Sequence, residues 1–437
     1  MRRASWMKPF AAILLGLLAA LQVALGAPPL PTAPPESVGM SSERLGRIAG
    51  ALRDEVAAGS YPGAVVMVAR KGKLVYSEAV GMQTPSAKMS PESIFRIYSM
   101  TKPLVSVAAM MLVEDGKLGL ADPVGKYLPG FDKLPVSVAA KDAAGNVSYA
   151  MAPADRPMTV QDLLRHTSGL AYGELTQNAP VKEGYEKAGL WKRDLDFDAR
   201  GMTPAEQVER LAKVPLAFQP GTTWNYSLSV DVLGRVVEAA SGKRLGDFLH
   251  ERLFVPLKMG DSGFWIPKEQ LARLAEPFPK DKGTGRPNAL IDVSAQPGND
   301  SGGAGGVSTA GDYLRFSQML LDGGTLEGVR VLSRTTVRLM SSDHLGHTVA
   351  TPMQPGELLM GVKGYTFGLG FMVRQEDGIA AVPGSAGEFM WAGYAGTFFW
   401  VDPKEQLVAV FMTQAPSPTR AYHRRLVKQL VYQAIVD

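Results

Sequence analysis

Both ends of this chain read as β-sheet, whereas its centre reads as helix. Ala64 to Ala69 and Lys73 to Val80 are strand-forming runs joined through Lys71 and Gly72, the pattern of a hairpin. Near the C-terminus, Phe367 to Arg374, Glu388 to Trp391, Tyr394 to Val401 and Gln406 to Thr413 have the same character, the last two turning through Asp402 and Pro403. Helices frame these strands. Leu45, Ile48, Ala49, Leu52 and Val56 recur at helical spacing between Ser41 and Gly59, and Leu426, Val427, Leu430, Val431, Ala434 and Ile435 form an amphipathic closing segment. In between, Thr159 with Asp162, and Thr203 with Pro204 and Glu206, are helix starts, and Val230, Leu233 and Val237 lead to a stop at Ser241 and Gly242. The expectation is an α+β fold: an antiparallel sheet flanked by helices from residues 37–98 and 305–437, with a mostly helical domain, 99–304, inserted between them. A functional cleft then belongs at the interface of the two parts.

Composition narrows the chemistry. The 437 residues contain no cysteine, which excludes thiolate catalysis, Cys-ligated zinc and iron–sulfur clusters. A net charge of +4 looks mildly basic. Much of it sits in Arg2, Arg3 and Lys8, ahead of an apolar run from Phe10 to Leu25 and the small residues Ala24, Gly26 and Ala27, the layout of a secretory signal peptide over about residues 1–26. The run is shorter than the roughly 20 residues that span a bilayer. Taking those three cations from 46 leaves 43 Lys and Arg against 42 Asp and Glu. Neither nucleic acid nor a stable membrane anchor is therefore expected of the mature chain, which reads as exported, periplasmic or secreted. Oligomeric state stays open.

Ser99-Met100-Thr101-Lys102 precedes Pro103 and the apolar stretch Leu104 to Val113. Ser99 suits a helix N-cap, and a spacing of three brings Lys102 onto its face, where an amine can activate a hydroxyl that is otherwise a poor nucleophile. The tetrapeptide alone is weak: Ser5-Trp6-Met7-Lys8 also fits it, inside the leader.

Further motifs give it company. Leu164-Arg165-His166-Thr167-Ser168-Gly169-Leu170, Pro220-Gly221 before Tyr226-Ser227-Leu228, the run Gly302-Gly303-Ala304-Gly305-Gly306, and Trp391-Ala392-Gly393 follow in order. In this order the chain resembles serine hydrolases of the class C β-lactamase superfamily, most of all the family VIII carboxylesterases. The resemblance implies a β-lactamase/penicillin-binding-protein-like fold and a catalytic set of Ser99, Lys102 and Tyr226. A phenol in water has a pKa of about 10 and is a poor base; beside the Lys102 ammonium its phenolate is favoured and can take the Ser99 proton. The oxyanion hole is then the backbone N–H of Ser99 and of Tyr394. Trp391 stands where the lactamases of this fold carry lysine, and Leu228 where they carry asparagine; with Gly393 and Tyr172 they are expected to line the substrate pocket. An apolar wall in place of a cation turns the pocket from acidic amides towards neutral esters.

Other candidates are weaker. Gly260-Asp261-Ser262-Gly263 resembles a protease nucleophile loop but sits in helical surroundings and reads as a turn. His166 is assigned a structural role near the cleft, and Asp343, His344 and His347 lack a second pair of metal-binding residues. The glycine run lacks the ending of a phosphate loop and reads as close backbone packing. The expected protein is an exported serine hydrolase that cleaves small-molecule carboxylic esters through an acyl-enzyme, with no metal or organic cofactor implied. The alternatives on the same scaffold are a β-lactamase, a D-amino acid peptidase or a transacylase.

Overall fold

Lys71 (φ 50°) and Gly72 (φ 73°) both adopt left-handed backbone, the conformation that folds two strands tightly back on each other. The computed structural model describes residues 29–191 and 200–437; the leader expected at 1–26 lies outside them. The turn joins Gly63–Arg70 (β1) to Lys73–Thr84 (β2), followed by the short Ala87–Lys88 (β3). The C-terminal strands are Tyr365–Phe367 (β4), Met372–Arg374 (β5), Phe389–Ala392 (β6), Phe398–Asp402 (β7) and Leu407–Thr413 (β8). Among the described residues they form one eight-stranded sheet in the order β4-β5-β6-β7-β8-β1-β2-β3. Each neighbour is antiparallel, and the two chain ends meet where Ala64 pairs Thr413 and Arg70 pairs Leu407.

Every residue of β1 and β8 is buried, so both faces of the sheet centre are covered. Adjacent Phe399 and Trp400 show how, since neighbouring side chains point to opposite faces. Phe399 meets Tyr313 and Phe316 of the helix Ala310–Leu321, whereas Trp400 stacks on Tyr432 of the closing helix Arg420–Tyr432. Ser42–Ala57 (α1), capped by Ser41, packs beside that closing helix.

Between the sheet's two halves run Thr101–Glu114 (α2), Val160–Leu164 (α3) and Ser229–Ser241 (α4). Thr159 and Asp162 close the expected capping box on α3, and Gly242 (φ 70°) ends α4. All but two residues of α2 are buried, which makes it the central helix of the region.

Three local expectations need correction. Phe367 to Arg374 is two strands rather than one, because Gly370 (φ 91°) breaks the run and the Gly368 N–H donates to the Phe371 carbonyl at 2.8 Å. The strand expected from Tyr394 starts only at Phe398, since Gly396 (φ 102°) closes a turn over 393–397. An exposed hairpin, Val136–Lys141 with Val147–Ala152, was not foreseen in the helical centre. Among the described residues no helix is long and apolar enough to cross a membrane.

Candidate active site

Ser99 does not cap a helix. It sits in a single 3₁₀ turn, Tyr98–Met100, and Met100 occupies the N-cap position of α2. The reason lies one residue earlier. Tyr98 has φ 45°, a left-handed conformation that costs a non-glycine residue about 1–3 kcal/mol unless its surroundings impose it. They do: its carbonyl accepts from the Thr101 hydroxyl at 2.6 Å, its own hydroxyl accepts from the Ile291 N–H at 3.0 Å, and its ring lies edge-on to Tyr394. The kink frees the Ser99 side chain from capping and leaves it half-buried.

Lys102, one turn on, is 1% exposed. Its three donors are all used: 3.2 Å to Ser99 Oγ, 3.0 Å to the Tyr172 hydroxyl and 2.8 Å to the Gly303 carbonyl. The Tyr226 hydroxyl lies 2.6 Å from Ser99 Oγ, and the Tyr226 ring is 4.7 Å from the Lys102 nitrogen. The residues read as a catalytic set from motif order thus converge on one oxygen. Tyr172, expected as a pocket wall, is also a hydrogen-bond partner of the lysine. Burial, then the proximity of Tyr226 and Asp231, raises its pKa well above 10, so it stays a phenol.

The other motifs hold these groups in place. Ser168 and Ser227 each pair hydroxyls with Ser229 at 2.7 Å, and His166 Nδ1 lies 3.3 Å from Ser227, so the loop carrying Tyr226 is pinned from behind. His166 packs on Tyr226 at 5.0 Å between ring centres; burial, then the Lys102 charge, lowers its pKa well below 6.5 and keeps it neutral. The glycine run packs as expected: the Ile97 N–H donates to the Gly306 carbonyl, and a Cβ at Gly306 would stand 2.6 Å from Thr101 Oγ1. Gly303 does more than pack, because its carbonyl meets Lys102.

On the sheet side, β6 runs along the Ser99 turn. A Cβ at Gly393 would lie 2.4 Å from the Ile97 carbonyl oxygen, so only glycine permits this approach. The Gly393 carbonyl accepts from the buried Arg424 at 2.8 Å. Burial, with Arg420 nearby, pulls the Arg424 pKa down to about 9, which leaves it charged at neutral pH. In a trans peptide the N–H opposes the C=O, so this grip aims the Tyr394 N–H away from Arg424. Trp391 is 1% exposed and its ring stands 5.4 Å from Tyr226 and 5.3 Å from Phe367. Leu228 packs into the core at the start of α4 and exposes only 1% of its surface.

The remaining candidates stay apart from this cluster. Asp312 anchors the Gly260–Gly263 turn by accepting from the Asp261 N–H and the Ser262 hydroxyl, both at 2.9 Å. Asp343 accepts from Thr366, and His344 bonds the Leu339 carbonyl. An apolar groove of about 1120 Å³ between Leu128, Val208, Ala239 and Gly242 includes none of Ser99, Lys102 or Tyr226. Its size does not make it the site, because converging polar groups carry chemistry and volume alone does not.

A family model described as Beta-lactamase matches residues 48–432. The chain belongs to the β-lactamase family. It is 36% identical over 373 residues to Protein Rv1367c of Mycobacterium tuberculosis, covering 83% of this chain and 88% of that one. Esterase EstB of Burkholderia gladioli is 31% identical over 383 residues, covering 80% and 85%. Among solved structures, EstCE1, described as a hydrolase with promiscuous acyltransferase activity, aligns with a TM-score of 0.69 at 27% identity, over 89% of this chain and 99% of that one. With family relatives of this kind, the chain is an enzyme of the serine-hydrolase type and has the β-lactamase/penicillin-binding-protein-like fold. The resemblance to the class C superfamily and its carboxylesterases, first drawn from motif order, agrees with these matches.

Proposed function

We propose that this enzyme cleaves neutral carboxylic esters through an acyl-enzyme on Ser99. The observation that carries the reading is the convergence on Ser99 Oγ of the Tyr226 hydroxyl at 2.6 Å and the Lys102 nitrogen at 3.2 Å. Ser99 Oγ attacks the ester carbonyl while its proton passes to Tyr226. The Lys102 ammonium, held by Tyr172 and Gly303, favours the phenolate that accepts it. The tetrahedral oxyanion is held by the N–H groups of Ser99 and Tyr394, the second aimed by Arg424 through Gly393. Tyr226 returns the proton to the departing alcohol, and a water, activated in the same way, releases the acid and restores Ser99.

The buried Trp391 in the third motif, where the lactamases carry lysine, favours an uncharged ester over a β-lactam or a D-amino acid peptide. EstB, an esterase by name, favours the same class. An alcohol can intercept the acyl-enzyme in place of water, a second reading that the EstCE1 description supports. Export belongs to the proposal on the strength of the cationic, apolar leader.

Ser99→Ala is expected to remove hydrolysis of p-nitrophenyl butyrate and labelling by a fluorophosphonate, with the thermal unfolding midpoint retained. Full activity in that variant overturns the assignment. A chromogenic cephalosporin in the same panel separates the esterase from the lactamase reading by the ratio of kcat/KM values.

A further inference from the structure

Asp231 is a buried charged side chain close to this machinery that the acyl-enzyme chemistry leaves without a role. It lies in the first turn of α4, where the helix dipole favours an anion, and it is 1% exposed. A carboxylate this far from water must be answered by donors. Oδ1 accepts from the Ser301 hydroxyl at 2.6 Å and from the Gly303 N–H at 3.1 Å. Oδ2 has no donor among the described residues. The approach is possible only because residue 303 is glycine: a Cβ there would stand 2.1 Å from Oδ2.

Gly303 is also the residue whose carbonyl accepts from Lys102 at 2.8 Å. One residue therefore links a buried anion to a buried cation that, among the described residues, has no ion-pair partner of its own. The groups that face this pair are few. Tyr172 and Tyr226 lie against Lys102, and His166 feels its charge. Arg235, one turn along α4, feels the charge of Asp231 but is already engaged by Glu238 at 3.0 Å, by Asn299 and by the Asp300 carbonyl. The field of Asp231 also reaches Tyr172.

We propose that Asp231 is a positioning residue for Lys102, which holds the Gly303 carbonyl against the ammonium and supplies the buried negative charge that balances it. The proposal rests on the serine-hydrolase reading above. Its role is indirect: Asp231 touches neither the ester nor Ser99, so its loss weakens proton handling and leaves substrate binding intact.

Asp231→Asn keeps an acceptor for Ser301 and Gly303 without the charge; Asp231→Ala removes both. With p-nitrophenyl butyrate, kcat is expected to fall about tenfold in the asparagine variant and about a hundredfold in the alanine variant, with KM within about twofold of wild type. Should the alanine variant not fold, the asparagine variant decides alone. A lowered unfolding midpoint with kcat within about twofold of wild type overturns the proposal, as does a loss carried by KM. Fluorophosphonate labelling keeps the two levels apart. A wild-type enzyme that is not labelled at Ser99 refutes the acyl-enzyme reading itself, whereas a labelled wild type and an equally fast asparagine variant refute only the role of Asp231.

Discussion

Among the described residues two lysines are buried almost completely, on opposite sides of the same fold, and only one of them is placed for chemistry. Lys102 is 1% exposed and Lys428 0%. Each lies over two aromatic rings, Tyr226 and Tyr172 for the first, Tyr432 and Trp400 for the second. They differ in the oxygens they meet. Lys428 faces the Glu388 carboxylate at 2.5 Å, with Arg374 on the same carboxylate at 3.3 Å and the Tyr432 hydroxyl donating to it. Lys102 meets a serine hydroxyl, a phenol and a peptide carbonyl, all uncharged. A direct carboxylate consumes the ammonium's field in holding the closing helix to the sheet. Neutral oxygens leave that field for the hydroxyl that must lose a proton.

The widest separation between the two sites comes from removing each cation in turn. Lys102→Ala is expected to lower kcat/KM on a short ester about a thousandfold while costing the fold less than the second change, since it removes hydrogen bonds to uncharged oxygens and no direct carboxylate contact. Lys428→Met is expected to do the reverse. It strands Glu388, itself 0% exposed, beside Arg374, and breaking a buried pair from one side costs about 3–5 kcal/mol. The folded fraction should turn over the ester within about threefold of wild type. Urea unfolding followed by circular dichroism, with activity per folded molecule, reads both. Equal losses of stability in the two variants would erase the distinction.

A gentler change sharpens the comparison inside the cleft. Tyr172→Phe deletes one acceptor from Lys102 without touching Ser99, and a lost hydrogen bond of about 1–1.5 kcal/mol corresponds to roughly a tenfold fall in kcat. KM for the same ester is expected to hold. If kcat is unchanged, Tyr172 is only the wall that motif reading took it for.

What could be read in advance divides along the same line. The β1–β2 hairpin, the Thr159 capping box and the Gly242 stop were legible because each is set by residues a few positions apart. The strands broken at Gly370 and Gly396 were not, since strand propensity counts side chains and those breaks are made by backbone that only glycine tolerates. Ser99 was misread as a cap because its kink is imposed by Tyr98, which is held from Ile291, far along the chain. Tyr226 stands 127 residues from Ser99 and the Gly303 carbonyl 201 from Lys102. No spacing rule spans such distances; the ordered motifs did so only by resemblance to a family. Asp231 and Arg424 carried no motif at all; Arg424 at least stands three residues before Val427 and seven before Val431, on the face that helical spacing buries, whereas Asp231 lies off the stripe of Val230, Leu233 and Val237 and had no local signal.

His166 extends the contrast to pH, with the smallest expected effect. It is buried behind Tyr226, and burial together with the Lys102 charge keeps its pKa well below 6.5 in the folded protein. Above pH 6.5 the histidine is neutral in both folded and unfolded chains and contributes no pH dependence. Below it the unfolded chain takes up the proton first, so stability falls with acidification, at up to about 1.4 kcal/mol per pH unit for one proton. His166→Gln is expected to remove that share of the slope between pH 6.5 and 5, measured as the pH dependence of the urea midpoint. The side chain also packs on Tyr226, so the variant should lose some activity at every pH without any change in the shape of the stability curve above 6.5. An unaltered slope below pH 6.5 would mean that His166 takes its proton in the fold, beside the Lys102 ammonium, and the cleft would then hold two cations where the geometry provides for one.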